Sequence, residues 1–189
     1  MNEEYIKTYL KEVKQICDLI SIESILSFAK YIKQIKESDG RVFFAGVGGS
    51  AGNCSHAVND FRKLLGIECY CVTDNVSELT ARINDESWEE SYSNWLKGSK
   101  INSKDALVVF SVGGGSEKTS VNLKRAIDLA VCVNAKVLSI VSRDGGYAAK
   151  KSDACILIPV VNDLRITPHA EEWQAVLWHM VVNGVLQND

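Results

Sequence analysis

The stretch RVFFAGVGGSAGNCSHAVND, residues 41–60, joins a short apolar strand to a helix through a glycine-rich turn. The glycines at 46, 48 and 49 allow positive φ angles and a close approach of the backbone to a ligand. Ser50 then presents a hydroxyl and an N–H group at the start of the helix, where anions are readily bound. The turn therefore predicts a seat for a phosphate group.

The helix that follows this turn carries two polar residues on one face. His56 and Asp60 are four residues apart, so their side chains point in the same direction. An imidazole and a carboxylate can act as an acid and a base, and both are common zinc ligands. Taken alone, the pair is equally compatible with two solvated helix residues, so both interpretations stay open at this point.

Length and charge limit the class of protein. With 189 residues, the chain predicts one domain, 1–189, with a full hydrophobic core. A formal net charge of −3 gives no electrostatic argument for binding nucleic acid or an anionic membrane. The N-terminus lacks the pattern of a signal peptide, and no apolar segment is long enough to span a bilayer. We therefore expect a cytoplasmic protein whose six cysteines stay reduced.

Hydrophobic periodicity predicts an α/β fold. Residues 1–37 predict two amphipathic helices, broken near Ser21, of the kind that often packs on a partner subunit. Over 38–189 strands alternate with helices, which predicts a central parallel sheet covered on both faces. The strands are predicted at 41–45, 68–73, 106–111, 136–141 and 154–158, and the helices at 51–64, 77–83, 87–96, 119–133, 147–151 and 168–186. The last helix has Thr167 as its expected N-cap and Pro168 in its first position.

A second glycine turn, SVGGGS at 111–116, follows another predicted strand. Open α/β sheets bind ligands at the carboxyl ends of their strands, so we expect both turns to face one crevice. The serines at 50, 111 and 116, with the intervening N–H groups, suit a single monoester phosphate. A dinucleotide site is disfavoured because the third glycine of its fingerprint is missing. A P-loop is excluded because no Gly-Lys-Ser/Thr follows at the required spacing.

Several ordered motifs between about residues 40 and 183 identify a family resemblance. They are GxGGSA with a following His, TD…S-x-LTA-x-x-ND at 73–85, the serine-glycine loop at 111–116, RDGG at 143–146 and TP-x-x-x-E…H at 167–179. The chain resembles a SIS (sugar isomerase) domain, and more narrowly the phosphoheptose isomerases. The resemblance implies a three-layer α/β/α sandwich of the flavodoxin-like or Rossmann-like type. It also implies a homotetramer, or a homodimer, with sites at subunit interfaces.

The resemblance further implies a reaction and a role for individual residues. A sugar phosphate, most simply sedoheptulose 7-phosphate, would be converted through an enediol to D-glycero-D-manno-heptose 7-phosphate. Asp60 and His179 would form the acid/base pair. The implied ligands of a Zn²⁺ ion are His56, Asp60, Glu171 and His179. The implied substrate-binding residues are Gly48, Gly49, Ser50, Asp60, Asn84, Asp85, Ser111, Val112, Gly113, Ser116 and Glu171.

The last predicted helix carries two of these ligands. Glu171 and His179 are eight residues apart, about 12 Å along a helix axis, so they reach one ion only from opposite directions. His179 also lies among apolar neighbours in AVLWHMVV. Without the family motif, a buried core histidine is the alternative interpretation.

The chain departs from the family pattern at several positions. Asp60 replaces a Glu and is one methylene shorter, and Glu171 replaces a Gln and adds a negative charge. Val47 replaces an Asn, 112–113 replaces a hydroxyl pair, and 117–120 resembles an insertion. We therefore expect fewer side-chain donors at the phosphate and a larger contribution from backbone N–H groups. These changes indicate a divergent branch of the family.

Two other functions stay open. The changes at Asp60 and Val47 are compatible with a non-catalytic SIS module that binds a sugar phosphate or a protein partner. Such a module would not exchange the carbon-bound proton of a ketose phosphate in deuterated water. An NAD(P)-binding enzyme is the third hypothesis, and it predicts saturable quenching of tryptophan fluorescence by the dinucleotide. We expect no such quenching.

Overall fold

The computed structural model describes residues 2–187, and its centre is a five-stranded sheet. The strands are β1 (Val42–Gly46), β2 (Cys69–Cys71), β3 (Ala106–Ser111), β4 (Lys136–Val141) and β5 (Ala154–Leu157). All neighbouring strands are parallel, in the order β2-β1-β3-β4-β5. The chain changes direction across the sheet between β1 and β3, which is where open α/β sheets bind ligands.

Helices cover both faces of the sheet. They are α1 (Glu3–Leu19), α2 (Ile22–Glu37), α3 (Gly49–Leu65), α4 (Val76–Asp85), α5 (Ser91–Gly98), α6 (Val121–Cys132), α7 (Gly146–Lys151) and α8 (Ile166–Leu186), with a 3-10 turn, Asp163–Arg165, before α8. Helices α1, α2, α3 and α8 share one hydrophobic cluster with one face, and α5, α6 and α7 share a second cluster with the other. The predicted three-layer α/β/α architecture is confirmed.

The central strands are buried along their whole length, which explains their continuous apolar sequences. Every residue of β1 and β3 is buried, as expected when helices cover both faces of a parallel sheet. Aromatic rings then connect the layers. Phe44 of β1 contacts Phe61 of α3 at 5.1 Å and Phe110 of β3 at 5.7 Å, and Phe110 stacks on Trp178 of α8 at 5.8 Å between centroids. The sheet thus fixes α3 and α8 side by side.

The last helix begins earlier than the sequence predicted. Thr167 is not its N-cap, because α8 starts at Ile166 and Pro168 is its third residue. The reason is the 3-10 turn, which Asn162 caps and which runs directly into the helix. Proline is tolerated there because N–H groups of the first turn have no intrahelical acceptor.

Helix α6 and strand β5 are slightly shorter than predicted, and two other elements are shortened by local turns. Strand β2 ends at Cys71 instead of residue 73, because the chain turns there and the N–H group of Asp74 donates to the carbonyl of Cys71 at 3.2 Å. Helix α5 begins at Ser91 instead of residue 87, because the Ser87 hydroxyl accepts the N–H of Glu90 in a preceding turn.

The cysteines are free thiols, and three of them are buried. Cys54 of α3 is fully buried, and this burial strongly raises the pKa of its thiol. A thiol that stays protonated is a small apolar core residue rather than a nucleophile. Between residues 2 and 187, none of the helices has both the length and the apolar character needed to cross a bilayer.

A buried ionic cluster attaches α1 to the beginning of α8. The Glu12 carboxylate, only 5% exposed, accepts hydrogen bonds from Arg165 at 2.6 and 2.8 Å, and from Asn162 at 2.8 Å. His169 Nε2 lies 2.9 Å from the same carboxylate. These bonds, with Arg165 the largest contributor, lower the pKa of Glu12 to about 2, although burial opposes the shift.

We predict that Glu12→Gln lowers the free energy of unfolding by about 2 kcal/mol at pH 7. The pKa of Glu12 is lower in the folded than in the unfolded chain, so its stabilisation is complete above about pH 4.5 and is lost as the pH falls towards 2. Urea denaturation over this pH range should therefore show that the free energy of unfolding falls less with decreasing pH in the variant than in wild type. Glu3→Gln is the control, because Glu3 pairs with Lys7 on the exposed surface of α1. Parallel pH curves for Glu12→Gln and wild type would contradict the prediction.

Candidate active site

A cavity of about 390 Å³ opens at the carboxyl ends of the central strands. Its wall is formed by Val47, Ser50, Ser111, Val112, Gly113, Gly115, Ser116, Thr119, Ser120, Arg143 and Thr167. The fold therefore brings the two glycine turns to one crevice, as the sequence predicted, and places the three predicted serines in the same wall.

The first turn requires glycine at two positions. A Cβ at Gly46 would lie 2.7 Å from the backbone of Ser50, and Gly48 has a φ of +64°. Side chains at either position would clash or strain the backbone. Helix α3 can therefore start directly at Gly49, and its first N–H groups, which have no intrahelical acceptor, lie beside the cavity.

The three serine hydroxyls already accept hydrogen bonds from the protein. Ser50 Oγ accepts from Gln174 Nε2 at 3.1 Å, and Ser111 Oγ accepts from the N–H of Gly114 at 3.0 Å. Ser116 Oγ accepts from two N–H groups of the following loop, at 3.2 and 3.0 Å. Each hydroxyl keeps one hydrogen to donate. Such donors are complementary to a phosphate, whose ionised oxygens accept hydrogen bonds.

The inserted segment adds hydroxyl groups to the cavity wall. Thr119 and Ser120 of the 117–120 insertion both line the wall, and so does Thr167 of α8. Arg143, in the loop after β4, contributes a guanidinium group, and its side chain has no ion-pair or hydrogen-bond partner among residues 2–187. An unpaired cation at this position can balance the charge of a phosphate.

Sequence reasoning missed these four residues as site residues. Arg143 and Thr167 lie in the RDGG and TP motifs, so a signal existed, but neither motif indicates which cavity its residue lines. Thr119 and Ser120 carried no signal beyond being polar. Only the fold of the loops around the cavity brings them together.

A second group of polar residues lies between α3 and α8. His179 Nε2 is 3.2 Å from Asp60 Oδ2, and His56 Nε2 is 3.9 Å from the same oxygen. Asp60 is nearly buried, and Trp178 Nε1 donates to its Oδ2 at 3.2 Å while Asn59 Nδ2 donates to its Oδ1 at 3.0 Å. The structure therefore brings together three of the four predicted metal ligands.

The orientation of the His179 ring is fixed by the backbone. Its Nδ1 lies 2.8 Å from the carbonyl oxygen of Ala175, and because a carbonyl only accepts, Nδ1 must carry a hydrogen. In the neutral ring the lone pair of Nε2 then points at the carboxylate of Asp60. Two acceptors at 3.2 Å need a proton or a cation between them. The pair therefore suits proton transfer or metal binding.

The donor set fits a zinc ion. One ligand atom each from His56, Asp60 and His179 lies within 4.8 Å of the others. Zinc bonds of about 2.0–2.1 Å in a tetrahedron place ligand atoms roughly 3.4 Å apart, so small side-chain adjustments are enough. A ring whose second nitrogen donates to a backbone carbonyl is also the usual arrangement of a zinc-bound histidine.

Glu171 lies apart from this three-residue cluster. Its carboxylate packs against the first turn, where a Cβ on Gly49 would come within 2.4 Å of Oε2. Asn84 and Asp85 lie in the last turn of α4, hydrogen-bonded to each other at 2.7 Å, and neither lines the cavity. Within this chain, the fold brings Glu171 to Gly49, another predicted substrate-binding residue, but not to the three clustered metal ligands. It places Asn84 and Asp85 outside the cavity.

We predict that Gly49→Ala lowers the free energy of unfolding by about 1–3 kcal/mol, because the new methyl group overlaps the Glu171 carboxylate. Gly52→Ala in the same helix is the matched control. Nothing lies within 4 Å of that added Cβ, so it should stabilise the protein by up to about 1 kcal/mol. In a Glu171→Ala background the cost of Gly49→Ala should disappear. Urea denaturation measures all four variants, and an equal cost in both backgrounds would show that Glu171 is not the obstacle.

Comparison with known proteins agrees with the fold. Residues 5–146 match the SIS domain family. A phosphoheptose isomerase of Helicobacter pylori strain P12 is 26% identical over 174 residues, 87% of this chain and 86% of the relative. A probable phosphoheptose isomerase of Thermoplasma volcanium is 28% identical over 187 residues, 96% and 89% of the two chains. The structure of phosphoheptose isomerase GmhA from Neisseria gonorrhoeae superposes with a TM-score of 0.83 at 23% identity, over 96% and 95% of the chains. The chain belongs to the SIS domain family.

Proposed function

We propose that the protein is an aldose–ketose isomerase of sugar phosphates, and that it converts sedoheptulose 7-phosphate to D-glycero-D-manno-heptose 7-phosphate. The observation that carries the proposal is the pairing of a hydroxyl-lined cavity of about 390 Å³ with the Asp60–His179 contact on the same two helices. The names of the similar proteins support the choice of a heptose phosphate.

The spacing of the two parts favours a long-chain sugar. Ser50 and Asp60 are ten residues apart on α3, about 15 Å along the helix axis. Side chains from each end shorten this separation, but a triose phosphate would still be too short to span it. A seven-carbon chain in an extended conformation can place its phosphate at Ser50 and its carbonyl end near Asp60.

The phosphate end of the substrate would be bound mainly by neutral hydrogen-bond donors and by one cationic side chain. Backbone N–H groups at Gly49 and Ser50, together with the serine and threonine hydroxyls, supply donors, and Arg143 supplies the positive charge. The acidic side chain of Glu171 lies close to this seat, so it favours a substrate that presents a hydroxyl donor there. We retain Asn84 and Asp85 as predicted binding residues for sugar hydroxyls.

The isomerisation needs two proton-transfer groups. A base removes the proton from the carbon beside the carbonyl and returns it to the neighbouring carbon, while an acid exchanges protons with the two oxygens through an enediol. Asp60 acts as the carbon base, held by the N–H of Trp178 and the amide of Asn59. His179 Nε2 exchanges protons with the oxygens, and the carbonyl of Ala175 keeps the ring in position.

We predict that Asp60→Asn and His179→Ala each reduce turnover of sedoheptulose 7-phosphate by at least about 100-fold, the usual range for loss of an acid or base. The matched control is Asp153→Asn, because Asp153 binds Lys136 and the backbone at the amino end of β4, on the opposite edge of the sheet. Circular dichroism checks that each variant folds.

Deuterium incorporation distinguishes the proposal from a non-catalytic SIS module. Wild-type protein in deuterated water should label the carbon beside the carbonyl of the ketose phosphate, and both active-site variants should not. Undiminished turnover in both variants, or binding without any label in the wild type, would refute an isomerase with this acid/base pair. The second result would support the binding module, which the departures at Asp60 and Val47 keep as the second candidate.

We also propose that His56, Asp60 and His179 hold a Zn²⁺ ion. Glu171, the fourth ligand that the resemblance implies, lies apart from these three residues within this chain and stays a prediction. When bound, the metal would act as a Lewis acid that polarises the substrate oxygens. We expect zinc titration against a chelating dye to show one site, and His56→Ala to weaken it by at least about 10-fold. His169→Gln should keep the site because His169 lies in the Glu12 cluster. Equal affinities of wild type and His56→Ala would exclude the site.

Assembly into a homotetramer or homodimer is part of the same proposal. Leu19, Ile22 and Leu26 on the N-terminal helices are each more than 60% exposed. Ile22 and Leu26 line an apolar groove together with Met180 of α8. Large apolar patches of this kind are typical of interaction surfaces. Sedimentation equilibrium would show a monomer if this is wrong. The single-domain assignment of 1–189 and the cytoplasmic location stay predictions.

A further inference from the structure

A chain of buried amides connects α8 to the serine of the first glycine turn. Gln174 is fully buried, and Ser50 is only 1% exposed. Gln174 Nε2 donates to Ser50 Oγ at 3.1 Å, and Gln174 Oε1 accepts from Asn53 Nδ2 at 2.9 Å. Asn53 Nδ2 also donates to the backbone carbonyl of Glu171 at 2.9 Å. No pattern in the sequence predicted this network.

The chemistry of the groups allows only one direction for these hydrogen bonds. The carbonyl of Glu171 can only accept, so Asn53 must turn its NH₂ group towards it. The same NH₂ group faces Gln174, which must therefore present its oxygen to Asn53 and its nitrogen to Ser50. Ser50 Oγ then accepts from Gln174. Among residues 2–187 the structure gives its own hydrogen no acceptor, and Ser50 lines the cavity.

We infer that Gln174, oriented by Asn53, is a positioning residue that turns the Ser50 O–H bond towards a phosphate in the cavity. This inference rests on the proposed function, because it assigns the anion that the cavity binds. If Gln174 were turned by half a rotation, its oxygen would accept the Ser50 hydrogen. Ser50 would then present lone pairs to the phosphate and repel it. The amide orientation thus decides whether Ser50 attracts or repels the anion.

We call the hydrogen bonds from Asn53 through Gln174 to Ser50 the relay. The relay also explains how α8 contributes to a phosphate site formed mainly by α3 and the glycine turns. The carbonyl that orients Asn53 belongs to Glu171, whose carboxylate packs on Gly49. A displacement of α8 would therefore disturb the Ser50 hydroxyl through the amides. Gln174 does not line the cavity, so its effect on the phosphate must pass through Ser50.

The experiment is a pair of double-mutant cycles read by phosphate affinity. Inorganic phosphate is titrated into wild type, Ser50→Ala, Gln174→Met and the double variant, with binding followed by calorimetry. We expect each single variant to lose about tenfold in affinity, the size of one hydrogen bond to a charged group. We expect the double variant to lose no more than Ser50→Ala alone, because both substitutions remove the same bond.

The second cycle reverses the relay instead of removing it, and it covers the case in which Gln174→Met fails to fold. In Asn53→Asp, a carboxylate accepts from Gln174 Nε2, so the Gln174 oxygen turns to Ser50. Phosphate affinity should fall by more than tenfold in the wild-type background, and by clearly less in Ser50→Ala, where only the added charge acts. With sedoheptulose 7-phosphate as the substrate, Gln174→Met and Asn53→Asp should each raise KM and leave kcat within about twofold.

Independent losses in both cycles would overturn the relay, because a merely structural role of Gln174 does not depend on Ser50. A fall in kcat with unchanged KM would overturn it as well. The proposed function fails separately. If the losses of phosphate affinity in the two cycles are coupled, but the wild-type protein isomerises no ketose phosphate, the relay is supported and the isomerase is refuted. Wild-type protein that binds neither phosphate nor sugar phosphate would refute both.

Discussion

The packing of α8 against α3 is the contact on which the site depends. The two helices run side by side in the same direction, so Gln174 meets Ser50 at one end and Trp178 meets Asp60 further along. Trp178 is almost fully buried and stacks on Phe110 of the sheet. Loss of a buried tryptophan typically costs about 3–5 kcal/mol, so the side chain that holds the Asp60 carboxylate also stabilises the core. The polar site therefore exists only when the hydrophobic core is complete.

Periodicity was sufficient to predict most of the fold, because both faces of the sheet are covered. Strands β3 and β4 lie where the continuous apolar runs indicate, at Ala106–Ser111 and Lys136–Val141. The misplaced boundaries have local causes that periodicity does not register. The start of α8 depends on a 3-10 turn capped by Asn162, and the end of β2 depends on a turn at Asp74. In both cases hydrogen bonds outside the regular element decide its length.

The site was predictable only in part, for a similar reason. Motifs located the serines that line the cavity, and helix spacing paired His56 with Asp60. Gln174 was missed as a site residue because its role depends on a contact with Ser50, 124 residues away in the chain. Arg143 was missed because its place in the cavity wall depends on the conformation of a loop. Residues that act by orienting a neighbour leave no pattern of their own in a single sequence.

The departures from the family pattern have a physical counterpart in this structure. Asp60 is shorter than a glutamate, yet its Oδ2 still lies 3.2 Å from His179, because Trp178 holds the carboxylate on the side that faces α8. The hydroxyls missing at 112–113 are matched by Thr119 and Ser120 from the inserted segment. Glu171 is the change without such a counterpart. It places a carboxylate against Gly49, beside the proposed phosphate seat. The guanidinium group of Arg143, which has no ion pair among residues 2–187, lines the cavity of that seat. Under the proposed function, the balance between these two charges sets how strongly the cavity attracts a phosphate dianion. The family pattern that the sequence resembles has a neutral glutamine in place of Glu171, so this is the property in which the chain should depart most from that pattern.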